Sequence, residues 1–195
     1  MANTAVQAVA QQRTQSLSRN IALVIGASVL MGILGRFSVP LPFTPVPLTL
    51  ANLGVLLIAL TLGSRRAAAA MLLYLAEGAM GMPVFSPAGP GGILQILGPT
   101  GGYLMAYPVA AFVAGWIAER GNRSVSRITV AALCGEVLLF LGGITWLMTL
   151  THAPLSQTVN WALYPFAFAE IIKIMSAVAG SVRLHRSSKL AGLLA

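Results

Sequence analysis

Four ionisable side chains stand inside otherwise apolar stretches of this chain: Glu77, Glu136, Glu170 and Lys173. At mid-membrane each would cost about 2.5 kcal/mol or more unless paired or wetted, so such groups mark places where a ligand, ion or proton is handled. Glu170 and Lys173 are spaced i, i+3, which on a helix puts a carboxylate and an ammonium on one face and lets them partly neutralise each other. The structural alternative is an internal ion pair that only holds helices together. Glu136 reads equally as a helix–helix hydrogen-bond acceptor or as a ligand contact. Other chemistries lack their parts. There is no aspartate, and the two histidines, His152 and His185, lie outside the apolar runs, so a His-based triad or a metallohydrolase centre has nothing to build on. No G-x-x-x-x-G-K-[ST] stretch occurs, which excludes a P-loop in this chain. The single Cys134 excludes an intrachain disulfide framework and any Cys-rich metal site, and reads as a small buried hydrophobe. No metal or cofactor is expected.

The elements that must hold these groups are set by composition. The chain has 195 residues, 57% hydrophobic and 8% charged, with mean hydropathy +0.84, whereas a soluble domain carries about 25% charged residues. A lipid bilayer is the surrounding that such a surface fits. The net charge of +8 comes from basic residues scattered in ones and twos between apolar runs, which is the pattern of membrane topology rather than of a nucleic-acid face. Six runs can be drawn, Asn20–Leu34, Leu48–Leu62, Ala67–Met82, Gly101–Ala118, Ile128–Leu150 and Leu163–Val182. The first three are short against the roughly 20 residues that a bilayer core asks for, so they extend into flanking loops or sit in thinned bilayer. With six spans, Arg13, Arg19, Arg65, Arg66, Arg120, Arg123, Arg127, Arg183, Arg186 and Lys189 all fall on one side, against only Arg36 and His152 on the other. The positive-inside rule then places both termini in the cytoplasm. The expectation is an all-α, polytopic membrane protein with six transmembrane helices. A polar, ill-ordered N-terminal segment 1–19 precedes the membrane domain 20–182, and a basic tail 183–195 follows it. A signal peptide is the alternative for the first run, but the polar lead is long and Gly35-Arg36-Phe37 is a poor cleavage site.

Two outward connections are unusual. The stretch from Arg36 to Pro47 carries Pro40, Pro42, Pro45 and Pro47, which remove four backbone donors and fix an extended, apolar strap. The stretch from Pro83 to Thr100 sets prolines and glycines around a short apolar Ile93–Leu97, the make-up of a lid or re-entrant loop, or of a plain plug on the outer face. Counting about 1.5 Å per residue from the outer ends, Glu77 lies about 8 Å deep, Glu170 about 10 Å and Lys173 about 15 Å. These three are therefore expected to converge in one outward-opening pocket beneath the two loops. Ser18, Ala22 and Gly26 recur every fourth residue, a small-residue stripe that packs either inside the bundle or against another protein.

The run Pro40-Leu41-Pro42-Phe43-Thr44-Pro45-Val46-Pro47-Leu48-Thr49-Leu50, with Leu53-Gly54-Val55-Leu56-Leu57, Gly81-Met82-Pro83-Val84-Phe85 and Leu97-Gly98-Pro99-Thr100-Gly101-Gly102-Tyr103-Leu104, resembles the BioY family. These are the biotin-binding S components of energy-coupling-factor (ECF) transporters. Pro165-Phe166 followed by Glu170-Ile171-Ile172-Lys173 stands at the place of the family's P-F-x-P-G-D-x-x-K. The resemblance covers about residues 20–182. It implies six helices in a bacterial cell (inner) membrane and capture of biotin from outside under the two loops. Delivery inward would be driven by a transmembrane coupling protein and two ATPase subunits, met through Ser18, Ala22 and Gly26 of the first helix. It implies a binding subunit and not an enzyme. On that resemblance Glu170 accepts from a ureido N–H and Lys173 donates to the ureido carbonyl or to the vitamin's carboxylate. Tyr103, Tyr74, Phe43 and Phe85 wall the apolar parts, and Glu77, Gln95 and Asn52 complete the candidate set. Glu170 stands where the family has aspartate, Phe168-Ala169 where it has P-G, and Ala51-Asn52 where it has glutamine, while Glu77 is an extra acid. A biotin precursor or related vitamin is therefore the alternative ligand. A proton-coupled carrier acting without an ATPase, alone or as a homo-oligomer, and a membrane enzyme using the buried acids are the alternative functions.

Overall fold

Alanine, glutamine and aliphatic residues dominate the first 36 positions and no proline interrupts them, so helix propensity favours one continuous rod. The computed structural model, which describes residues 2–120 and 123–186, forms a single helix α1 over Ala2–Arg36. The polar lead, expected to be irregular, thus continues the helix, because its Ala and Gln residues are good helix formers. Of the basic tail, residues 187–195, Lys189 included, lie outside the described residues.

The strap after α1 becomes a short antiparallel hairpin, β1 (Ser38–Val39) and β2 (Leu48–Thr49), with Ser38 opposite Thr49 and Val39 opposite Leu48. The four prolines fall in its turn, where no ladder donor is needed. Then follow α2 (Ala51–Leu62), α3 (Ser64–Ala79), α4 (Gly92–Leu97), α5 (Gly101–Glu119), α6 (Val125–Thr151), α7 (Leu155–Ala162) and α8 (Ala167–Arg186). Each of the six apolar runs overlaps one of α1, α2, α3, α5, α6 and α8. Among the described residues, three helices are long and apolar enough to cross a membrane, namely Gln15–Arg36 of α1, α5 and α6. The pair α7 and α8, bent by 54°, makes a fourth together. At 12 and 16 residues, α2 and α3 are shorter than a roughly 30 Å core.

On α1, Ile21, Ile25, Val29 and Ile33 recur every fourth residue and are each about half exposed, an apolar stripe suited to lipid and not to water. Inside the bundle, small residues let helices approach closely. α5 packs chiefly on α6, where a β-carbon on Gly102 would collide with the carbonyl oxygen of Gly142. The turn between α2 and α3 rests on Gly63, whose φ of +81° falls in the region that favours glycine. There Glu119 at the end of α5 caps α3, accepting from the Ser64 N–H at 3.1 Å and from its hydroxyl at 2.8 Å. The hairpin, the 80–100 segment and α7 gather at one end of the bundle: Ser86 Oγ donates to Ser38 Oγ at 2.6 Å, and Thr44 Oγ1 donates to the Trp161 carbonyl at 2.7 Å. Arg65, Arg66, Arg123 and His185 meet at the opposite end.

Candidate functional site

The buried charges sit at the capped end. Phe166 N-terminal to α8 accepts the Glu170 amide at 2.9 Å through its carbonyl, so the helix starts one turn above Glu170 and aims its first turn into the bundle. One turn further on, Lys173 Nζ donates to Glu170 Oε1 at 2.6 Å, and both side chains are over 90% shielded from solvent. This is the i, i+3 pair that the spacing predicts. Glu170 Oε2 is buried with no hydrogen-bond partner among the described residues. A buried acceptor left unmet costs about 1–3 kcal/mol or more when charged, so this oxygen takes a donor either from the neighbouring Glu136 carboxyl or from outside the chain.

Glu170 lines a cavity with Asn52 from α2, Tyr74 from α3, Gln95 from α4 and Tyr103 and Tyr107 from α5. Val46, Pro47 and Thr49 of the strap and Phe85 and Ser86 of the second loop close it over. Its walls are aromatic and interlocked. Tyr74 meets Phe85 edge-on with ring centres 5.2 Å apart, lies 6.3 Å from Tyr107, and Tyr103 meets Phe140 edge-on at 5.9 Å. Such edge-to-face pairs add about 0.5–1.5 kcal/mol beyond burial and fix ring orientation. Tyr103 is fixed further by donating its hydroxyl to the Ala162 carbonyl at 2.6 Å. Gln95 is held inside the lid loop, accepting from the Gly91 N–H at 3.0 Å and donating to Thr100 Oγ1 at 3.3 Å. The open space at the centre is about 50 Å³, room for a few water molecules.

Behind Glu170 lies Glu136 of α6, within electrostatic reach of both Glu170 and Lys173. It accepts from Asn52 Nδ2 at 3.2 Å, and its other oxygen is likewise buried without a partner. Lys173 itself lines a second, apolar groove of about 550 Å³, shared with Arg36, the β-hairpin and the start of α8. The ion pair therefore stands between the cavity, which Glu170 lines, and the lateral groove, which Lys173 lines.

The structure brings together most of the candidate residues. Glu170, Asn52, Tyr74, Phe85, Gln95 and Tyr103 share the cavity, with Lys173 beside them. It does not bring Glu77 there. That side chain turns to α1, where the fully buried Ser28 hydroxyl donates to Glu77 Oε2 at 2.6 Å. Phe43 sits in the proline turn, 62% exposed and outside the cavity. Ser18, Ala22 and Gly26 are all exposed, and nothing lies within 4 Å of where a Gly26 β-carbon would stand. Glu136, read from the sequence as either a helix–helix acceptor or a ligand contact, accepts from Asn52 of α2, whereas sequence reasoning missed Tyr107 and Phe140 as part of this end of the bundle. Their signal was helical spacing: Tyr107 follows Tyr103 by four residues and Phe140 follows Glu136 by four, each on a shared face.

Comparison with known proteins agrees with this architecture. The model of the BioY family matches residues 5–190. The biotin transporter BioY of Rhodobacter capsulatus is 35% identical over 188 residues, covering 89% of this chain and 98% of that protein. The biotin transporter BioY2 of Lactococcus lactis subsp. cremoris is 32% identical over 165 residues, 85% of this chain and 88% of that one. A crystal structure of the S-component for biotin from an ECF-type ABC transporter superposes with TM-score 0.83 at 23% identity, covering 93% of this chain and 98% of that one. The last likeness is one of fold.

Proposed function

Since the chain belongs to the BioY family, we propose that it is the substrate-binding membrane subunit that captures biotin and hands it across the bilayer in partnership with a transmembrane coupling protein and ATPase subunits of an ECF transporter. The observation that carries the reading is the orphaned Glu170 Oε2 in the wall of an aromatic cavity, paired through its other oxygen with Lys173. Biotin presents a ureido ring with two N–H donors and one carbonyl, fused to an apolar bicycle and ending in a carboxylate. Glu170 accepts from a ureido N–H. Lys173 donates to the ureido carbonyl or, from its face on the lateral groove, to the carboxylate. Tyr74, Tyr103 and Phe85 enclose the bicycle, and Asn52 and Gln95 supply polar edges.

Pockets for molecules of this size run to about 300–1,000 Å³, so the cavity has to open before biotin enters. The strap and the lid loop are the movable walls, tied across the mouth by the Ser86–Ser38 hydrogen bond. The orientation with both termini in the cytoplasm, which the distribution of arginines favours, points this mouth outward and the basic end inward. Ser18, Ala22 and Gly26, left open on α1, then form the surface for the coupling protein.

The test is biotin uptake by a biotin-requiring bacterium carrying this chain with and without coupling and ATPase subunits. Uptake is expected to need those partners, and Gly26→Leu is expected to abolish it while leaving biotin binding by the purified chain intact. Uptake that persists without any ATPase and collapses with the proton gradient would select the stand-alone carrier instead.

A further inference from the structure

An open cavity of about 910 Å³ lies at the end of the bundle opposite the candidate site. It is formed where α1, the α2–α3 turn, the end of α5 and the end of α8 meet. Three arginines, Arg65, Arg66 and Arg123, line it against one carboxylate, Glu119. That carboxylate is already committed, both oxygens being held by the amide and hydroxyl of Ser64. Arg123 donates through Nη1 to the Leu60 carbonyl at 3.3 Å and contacts His185 Nδ1 at 3.0 Å. A guanidinium only donates, so His185 accepts at Nδ1 and carries its hydrogen on Nε2, a further donor. Among the described residues the lining is therefore rich in donors and in positive charge, with its one anion, Glu119, used internally. It also holds one orphan of the opposite kind: Asn20, in its lining, has Oδ1 buried without a donor among the described residues.

The cavity is not only polar. Phe112 and Trp116 form part of its wall, and they end a stripe of exposed apolar side chains, Met105, Val109, Phe112 and Trp116, spaced to share one face of α5. The Arg120 guanidinium lies 3.4 Å over the Trp116 ring. An aromatic residue at the foot of an apolar stripe, beside a cluster of arginines, is the arrangement of a helix at the membrane–water boundary. A soluble anion would use the arginines and leave the stripe idle. A phospholipid uses both.

We propose that this cavity is a binding site for an anionic glycerophospholipid of the leaflet at the basic end, of the phosphatidylglycerol type. The phosphodiester meets Arg65, Arg66 and Arg123, a headgroup hydroxyl donates to Asn20 Oδ1, and one acyl chain lies along the Phe112–Trp116 stripe. Basic pockets between membrane helices take such headgroups on general electrostatic grounds. The proposal is independent of the ligand at the opposite end.

The test is native mass spectrometry of the purified full chain from mixed micelles holding phosphatidylglycerol and phosphatidylcholine in equal amounts, with biotin binding measured alongside. The expected result is preferential retention of phosphatidylglycerol. Arg65→Gln, at an exposed position, should lower the preference about 5-fold, and the Arg65→Gln/Arg123→Gln pair about 25-fold. Arg127→Gln/Arg183→Gln, which removes equal charge outside the cavity, should leave it unchanged. Equal retention of the two lipids by the native chain would overturn the proposal, as would an equal loss in both double variants. Inorganic phosphate alone, raising the melting temperature in detergent as much as phosphatidylglycerol does, would reassign the site to a soluble anion.

Discussion

Replacing Lys173 by methionine keeps the length of the side chain and removes its charge. Two consequences can be worked from the structure. The Glu170–Lys173 contact of 2.6 Å is buried on both sides, so screening by solvent does not discount it, and breaking such a pair by removing one partner destabilises by about 3–5 kcal/mol. Separately, if Lys173 donates to biotin, the lost charge-assisted hydrogen bond is worth about 1.5–3 kcal/mol, or roughly a 10- to 140-fold rise in Kd. A second variant separates the two effects. Glu170→Gln/Lys173→Met removes the stranded Glu170 carboxylate and leaves only Glu136 buried beside it, so it should regain part of the thermal stability while biotin affinity stays low. The assays are thermal unfolding in detergent and equilibrium binding of radiolabelled biotin to the purified chain. A folded Lys173→Met protein that binds biotin within about twofold of the native value would show that the ammonium does not face the ligand and would refute the site.

Three further outcomes are expected. In Gly143→Ala the new β-carbon collides with the Tyr103 ring. Displacing that ring loosens the Tyr103 bond to the Ala162 carbonyl, so biotin should bind about tenfold more weakly, in line with about 1–3 kcal/mol for overpacking, with helix content by circular dichroism unchanged. Glu77→Ala leaves the buried Ser28 hydroxyl without its acceptor and should lower stability by about 1–3 kcal/mol, read as a fall in Tm, while biotin affinity stays at the native level. A large loss of affinity there would return Glu77 to the binding site. Ser38→Cys/Ser86→Cys, in a background with Cys134→Ser, replaces the 2.6 Å bond across the mouth by a covalent clasp. Oxidation should slow biotin exchange by orders of magnitude and reduction should restore it, whereas exchange indifferent to oxidation would mean that these loops are not the gate.

The charges were legible in the sequence because lipid makes them expensive. Glu170 and Lys173 stood out by residue type alone, and their i, i+3 spacing already fixed the contact that the structure shows. The six apolar runs likewise found the six principal helices. The reading of α1 as short followed from counting only apolar residues, whereas a helix continues through Ala and Gln as readily as through Leu. Glu77 went astray for a different reason. Depth along a helix follows from counting, but a side chain's partner depends on where the neighbours stand: Tyr74 and Glu77 are i, i+3 on α3, yet Tyr74 lines the cavity while Glu77 is held by Ser28 of α1. The two loops stood out through proline and glycine, yet their conformations did not. The hairpin register and the short α4 depend on long-range ties such as Thr44 to Trp161, which no local pattern encodes. The basic cavity was hidden for the same reason: its arginines come from two separate connections and only helix packing gathers them.

The central claim is that the capped cavity around Glu170 holds biotin. Calorimetric titration of the detergent-solubilised chain with biotin, desthiobiotin and unrelated vitamins addresses it directly. The account predicts saturable, one-to-one binding of biotin, weakened in Glu170→Gln and absent for vitamins that lack a cyclic urea. A well-folded chain that gives no saturable heat with biotin, or that binds a vitamin without that group more tightly, would contradict it.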